Sequence, residues 1–348
     1  MAGAETSVAR RAAHLAVFDA TTFLARGIKE QLVERSFPVA SMRLFTSQVS
    51  EEVILNEFAG EPKLVTAPDL EALEQLDIAF LCGAREDGAR FLPWAARKGF
   101  AAIDLTTAAC EAPDVPLVNA GVNLKSIPRG AGIIATPHPV ALLLSTLLDP
   151  IRRGCGLREA VAVVFEPASH SGEAGIEELY RQTVGVLNFQ EAPRDVFGRQ
   201  LAFNMIPSFI RRAGGPDDTG APGRIERQVL RVTEGEYRLA VEVVQAPVFH
   251  VHAALLRVVL EEGRDGADLA GALGDGREIR VLGEGDPATP VERAGQSGVV
   301  VSGIRSAGEA PPAFWLWALF DNLISGAALN AVRIAEALML RRGARGRS

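Results

Sequence analysis

Gly132-Ile-Ile-Ala-Thr-Pro-His-Pro-Val-Ala141 is the stretch on which the fold turns. Its first four residues make an apolar, strand-like run, and Val140 opens a second apolar run, to Leu148, that reads as a helix. A strand feeding directly into a helix aims backbone N–H groups and the positive helix end at whatever lies beyond the strand. Enzymes of α/β build place nucleophiles at such junctions. Here the residues on offer are His138 and two prolines, and neither proline has a reactive atom.

Upstream of that junction, His14 to Asp19, Ser41 to Thr46, Asp77 to Leu81 and Ala101 to Asp104 read as buried strands. Helical patterns lie between them, one capped by Thr21 or Thr22 and running to about Arg35, another passing through Phe91 to Lys98. That alternation implies right-handed βαβ units and a mostly parallel sheet, with ligands at the carboxyl ends of its strands. Downstream, Ala160 to Phe165, Gln228 to Val232, Glu236 to Ala246, Phe249 to Glu261 and Glu278 to Val281 read as closely spaced strands. They suit an α+β unit with a largely antiparallel sheet. Gly214 to Gly223 reads as a loop, and a last long helix is expected to start near Leu319.

The 348 residues suffice for two domains with separate cores. A net charge of −7 excludes a basic nucleic-acid footprint, and the cluster from Arg341 to Arg347 reads as a solvated tail. Cys82, Cys110 and Cys155 are too few and too scattered for a disulfide framework or a thiolate zinc site. The start, Met1 to Arg11, has no apolar signal core, and the longest apolar run, Pro139 to Leu148, is too short to span a membrane. The expected setting is soluble, reducing and cytoplasmic, with neither nucleic acid nor membrane as a partner.

The run Asp321-Asn-Leu-Ile-Ser-Gly-Ala-Ala-Leu-Asn-Ala-Val-Arg-Ile-Ala-Glu336 resembles the C-terminal helix motif of the aspartate-semialdehyde dehydrogenases. Further matches are Phe37-Pro38-Val39, Asp114 to Val118, Asn123, Phe203 to Pro207 and Pro247-Val248-Phe249. The resemblance covers nearly the whole chain. It implies an α/β fold: a Rossmann-like N-terminal domain over residues 1–135, completed by a C-terminal helix over 319–340, and a central α+β dimerisation domain over 136–318. Members of that family reduce an acyl phosphate with NADPH through a thioester on cysteine.

Set against that chemistry, the chain departs at each demand. The family's glycine fingerprint becomes Asp19-Ala-Thr-Thr-Phe-Leu-Ala25, with Asp19, Thr22 and Ala25 in the glycine positions. The segment that would clamp an NADP 2′-phosphate becomes Ser47-Gln-Val-Ser-Glu-Glu52, with a valine for the arginine. The nucleophilic cysteine falls on Pro139, the phosphate-binding arginine on Cys110, the carboxylate-binding arginine on Gln245 and the acyl-positioning glutamine on Glu166. Only the acid–base histidine survives, as His252. At the cradle, a capping role for Asp19 is preferred. Arg85 reads as a solvated surface residue.

The pattern is similar to the catalytically divergent, usg-type paralogues that lack the cysteine. A pseudoenzyme acting through dimerisation or ligand binding is therefore expected, as a homodimer, with no NADP, no other cofactor and no metal. One alternative is an enzyme of new chemistry that uses a polar pocket of His138, Glu166, His170, His250 and His252 without nucleotide. Within that pocket His250 and His252, two apart, would share one strand face. His138, Glu166 and His252 would make an acid–base set or a two-histidine, one-carboxylate metal set. Further alternatives are a residual NAD(P)-dependent oxidoreductase and a partner forming mixed dimers with an active homologue.

Overall fold

The structure is a computed structural model that describes residues 11–47, 54–69, 75–130, 132–210, 222–275, 278–283, 288–308 and 310–345. Val49 to Glu52 and most of the Gly214 to Gly223 stretch, both interpreted above, lie outside the described residues.

The apolar runs of the first half assemble around β1 (Ala13–Phe18), which is buried along nearly its whole length, as a central parallel strand must be. The chain continues through α1 (Phe23–Glu34), β2 (Val39–Phe45), β3 (Ile54–Phe58), β4 (Glu61–Thr66), β5 (Ile78–Leu81), α2 (Arg85–Lys98), β6 (Ala101–Asp104) and β7 (Ile133–Ala135). The sheet order is β3-β4-β2-β1-β5-β6-β7, parallel throughout except for the β3–β4 hairpin. That hairpin was not foreseen. Its tight turn, Ala59-Gly60, holds both residues at positive φ, a conformation that Ala59 does not advertise.

α3 (Pro139–Cys155) follows β7 and is buried on almost every side, packing on the second sheet and its helices. The second half comprises β8 (Leu157–Glu166), α4 (Gly172–Leu187), β9 (Ile206–Pro207), α5 (Pro222–Thr233), β10 (Arg238–Gln245), β11 (His252–Leu260), α6 (Gly266–Gly274), β12 (Ile279–Val281), α7 (Pro290–Arg293), β13 (Val299–Ser306), β14 (Ala313–Phe320) and α8 (Ala327–Arg345). Its sheet runs β12-β13-β14-β11-β8-β10-β9. Four pairings are antiparallel, while β8–β10 and β12–β13 are parallel. A continuous core links Leu15 and Ile78 of the first sheet through Leu143 and Leu147 of α3 to Leu256 and Leu316 of the second.

Three expectations are corrected. Gln228 to Val232 is helical, in α5, where Ile225, Gln228, Val229, Val232 and Thr233 are buried at helical spacing. The last helix begins at Ala327, since Leu319 and Phe320 end β14, pairing with Ala253 and His252 of β11. Trp315 and Trp317 belong to the same strand. The chain then doubles back so sharply that a Cβ on Gly326 would meet the Asn322 carbonyl at 2.0 Å, which delays the helix. Finally, the cap of α1 is Thr22, whose hydroxyl accepts from the Ala25 N–H at 3.2 Å. Asp19 is not the cap. Its carboxylate accepts from the backbone N–H and the hydroxyl of Ser47, at 2.8 and 2.6 Å.

α8 returns the C-terminal part of the chain to the first sheet. It packs on α1, where a Cβ on Gly27 would sit 3.2 Å from that of Ala328. Arg35 and Glu336 pair across the two helices at 2.8 Å. Asn330 accepts from the Ala120 N–H and donates to the Val118 carbonyl.

Candidate functional site

The junction at Thr136 to Ala141 lies at the carboxyl end of the first sheet. Thr136 donates to the Asp104 carbonyl through both its N–H and its hydroxyl, which fixes the exit from β7. Pro139 takes the first position of α3, where its preset φ and missing donor cost the helix nothing. His138 is the N-cap, with its Nδ1 accepting from the Val140 N–H at 3.2 Å. The His138 N–H donates to the side-chain carbonyl of Gln228 on α5 at 2.8 Å.

Glu166 ends β8. Its carbonyl is held twice by the turn after β10, accepting from the Gln245 side chain and the Ala246 N–H, both at 2.9 Å. Gln245 thus braces backbone, where the family resemblance implies a substrate-binding arginine. A short 3-10 turn after β8 then swings His170 over the Glu166 carboxylate, Nε2 to Oε1 at 3.4 Å. The His170 ring lies 4.9 Å from that of His138 and 5.6 Å, edge-on, from that of His252. His138, Glu166 and His252 are buried, whereas the His170 side chain is 21% exposed.

His252 opens β11 and is fully enclosed. Among the described residues, neither of its ring nitrogens has a hydrogen-bond partner by distance and angle, although the Asn322 side chain stands close enough to favour the charged ring. Burial pushes its pKa down to about 3, and the neighbouring His170 and His138 add to that shift. A ring that stays neutral to such low pH is a poor proton acceptor at neutrality. His250 does not join the group. It precedes β11, and Val251 between the two histidines has φ of 74°, so the expected strand alternation is broken.

A cleft of about 470 Å³ opens on this group. Its walls come from the start of α1 (Phe23, Leu24, Arg26), from Gly83 to Arg85, from Leu105 to Thr107, from Pro137 to Pro139, from Ser169 and His170, and from Asn322 to Ile324. Arg85, expected at the surface, is one of the two arginines in the wall. Glu166 and His252 are buried and do not line the cleft. A larger groove, about 690 Å³, lies elsewhere, between α3 and α8. Three of its ion pairs are internal, Arg153 with Asp149, Arg35 with Glu336 and Arg333 with Glu278, whereas the smaller cleft holds His138 and His170 of the sequence-predicted pocket.

The three cysteines are all buried. Cys110 bonds the Thr136 carbonyl at 3.2 Å from beneath the junction, and burial raises its pKa as it does those of Cys82 and Cys155. Two positioning residues were missed from sequence. Gln228 was read as part of a strand, although the spacing of Ile225, Gln228, Val229 and Val232 carried the helical signal. Asn322, which accepts from the Ser169 hydroxyl at 3.2 Å, gave no signal beyond its place in the C-terminal motif.

The family model described as semialdehyde dehydrogenase, NAD binding domain, matches residues 17–129, and that described as semialdehyde dehydrogenase, dimerisation domain, matches 148–325. The second match supports a homodimer. An aspartate-semialdehyde dehydrogenase of Rickettsia bellii is 28% identical over 94% of this chain and 97% of its own. Aspartate-semialdehyde dehydrogenase 2 of Vibrio cholerae is 30% identical, also over 94% of this chain and 97% of its own. The crystal structure of aspartate semialdehyde dehydrogenase II from Vibrio cholerae superimposes with a TM-score of 0.86 at 29% identity, covering 95% of this chain and 99% of the other. With this fold, this cleft and these matches across both halves, the chain belongs to the aspartate-semialdehyde dehydrogenase family.

Proposed function

We propose that this member has left the family's thioester chemistry and works as a binding protein, through its cleft and its dimer. The carrying observation is Pro139. At the head of α3, where the family resemblance puts the nucleophile, stands a side chain that cannot attack, and no cysteine lines the cleft. Acyl transfer through a thioester needs a thiolate within reach of the substrate.

The cradle points the same way. Asp19 has φ of 55°, so it reproduces the turn that a glycine would make there, but it adds a buried carboxylate. That carboxylate is locked to Ser47 and crowds Gly83, where a Cβ would lie 2.0 Å from its Oδ2. A pyrophosphate in this cradle meets negative charge in place of open backbone N–H groups. The residues present do not fit NADP.

The test is a titration of the purified chain with NADP by calorimetry, together with an assay of phosphate-dependent NADP reduction on aspartate semialdehyde. The expected results are no saturable heat and no turnover. Turnover would refute the reading; tight NADP binding alone would refute its cradle half. A second reading, acid–base chemistry on a cleft ligand without nucleotide, draws on the His170–Glu166 pair at 3.4 Å. It makes His170, and not the enclosed His252, the proton carrier.

A further inference from the structure

We propose that His138, Glu166 and His170 form a site for a divalent transition-metal ion of the zinc type, in the wall of the cleft. The three side chains come from three separate elements: the N-cap of α3, the end of β8 and the turn that follows it. One ligand atom from each lies within 4.8 Å of the other two. Zinc bonds of about 2.0–2.1 Å in a tetrahedron set ligand atoms about 3.3 Å apart. The His170–Glu166 separation of 3.4 Å already has that length, and the remaining contraction is within the reach of side-chain rotation.

Two imidazoles and one carboxylate are a donor set for zinc and its neighbours in the series, and they leave a coordination position open. His138 and His170 both face the cleft, which gives the ion an entry path and the fourth ligand a place. The surroundings hold the donors in place. Gln245 and Ala246 fix the Glu166 backbone, and Gln228 fixes that of His138. A carboxylate as buried as that of Glu166 is costly to keep charged, and a divalent cation offsets that cost. Ligation by Nε2 puts the proton of His138 on Nδ1, so the 3.2 Å contact from Val140 is given up on binding.

The site differs from the set expected from sequence, with His170 in place of His252. It does not depend on the loss of thioester chemistry, since metal uptake and semialdehyde turnover are separate readouts. The experiment uses the tag-free full chain, stripped with a chelator, then titrated with zinc by calorimetry and with cobalt(II) by visible absorbance. Expected are about one equivalent of zinc per chain and cobalt d–d bands of a low-coordinate site. Because loss of an outer partner already costs about 10–100-fold in affinity, His170→Ala and Glu166→Gln are each expected to cost more than about 100-fold. His138→Asn keeps an N-cap while removing a ligand, and is expected to do the same. Circular dichroism confirms folding of each variant, and zinc raises the Tm of the parent alone. Absence of saturable zinc heat and cobalt bands in the parent overturns the proposal, as does equal uptake by the parent and all three folded variants.

Discussion

At the scale of single residues, Pro139 and His252 make separable predictions. Restoring the thiol with Pro139→Cys places it at a helix N-terminus, where its pKa falls. Mass spectrometry is expected to show it alkylated readily. NADP reduction on aspartate semialdehyde is nevertheless expected to stay absent, because Cys110 and Gln245 stand where the resemblance implies arginine clamps, and Asp19 occupies the cradle. A gain of turnover from this one substitution would place the whole deficit at the nucleophile. His252 reports on stability. Its folded pKa of about 3 lies below the roughly 6.5 of an unfolded histidine. Between those values the unfolded chain takes up a proton that the native chain refuses, so stability falls as pH falls, by about 1.4 kcal/mol per pH unit. Above pH 6.5 the term is absent. His252→Asn in chelator-treated protein is expected to remove it, and between pH 6.5 and 5 the parent should lose about 2 kcal/mol more than the variant in denaturant unfolding. Parallel pH profiles would mean that the ring is solvated.

At the scale of elements, α5 organises the site from outside it. Arg231 on this helix donates to the carbonyls of Cys110 and Ala112, each at 3.0 Å, and to that of Val115. It thereby clamps the loop that follows β6, while Gln228, one turn earlier, holds His138. Arg231→Met leaves those carbonyls without their charged donor and is expected to cost about 2–3 kcal/mol in chemical denaturation, with little change in the far-UV spectrum. Arg227, whose pair with Glu111 is exposed, is the contrast, with a cost of under about 1 kcal/mol for Arg227→Ala. The role of α5 also shows where the sequence was legible. The strands β1, β5 and β6 are short apolar runs bounded by turn signals, and they were read within a residue or so. α5 was read in part as a strand because Gln-Val-Leu-Arg-Val is a short run with two β-branched valines, while its helical period emerges only over nine residues. The partners within the pocket were beyond pattern reading. Sequence spacing implied that His250 and His252 share a face, and one backbone angle at Val251 undoes it. His170 meets His138 and Glu166 only because a 3-10 turn reverses the chain after β8.

At the scale of the molecule, the flank of the second sheet built from α4 and the segment through β9 is, among the described residues, the expected seat of the dimer contact. Leu179 of α4 packs with Leu201, Ala202 and Ile206 to hold that flank together. Outside them, Tyr180, Leu187, Phe189, Phe203, Met205 and Phe209 are exposed, Phe203 at 66% and Phe209 at 77%. Scattered apolar side chains are ordinary on a surface, whereas several large ones on neighbouring segments are expected to mark an interface. All six lie within the match to the dimerisation domain, residues 148–325. Light scattering is therefore expected to give the mass of two chains. In a two-fold interface each substitution acts twice. Burying a phenylalanine contributes about 1.5–3 kcal/mol, so Phe203→Glu with Phe209→Glu removes about 6–12 kcal/mol from association. That is enough to carry a nanomolar dimer to dissociation at micromolar concentration. The same variant is expected to keep its zinc uptake, because His138, Glu166 and His170 all come from one chain. A double variant that still scatters as a dimer would move the interface elsewhere. A monomer that loses zinc would tie the pocket to the partner chain.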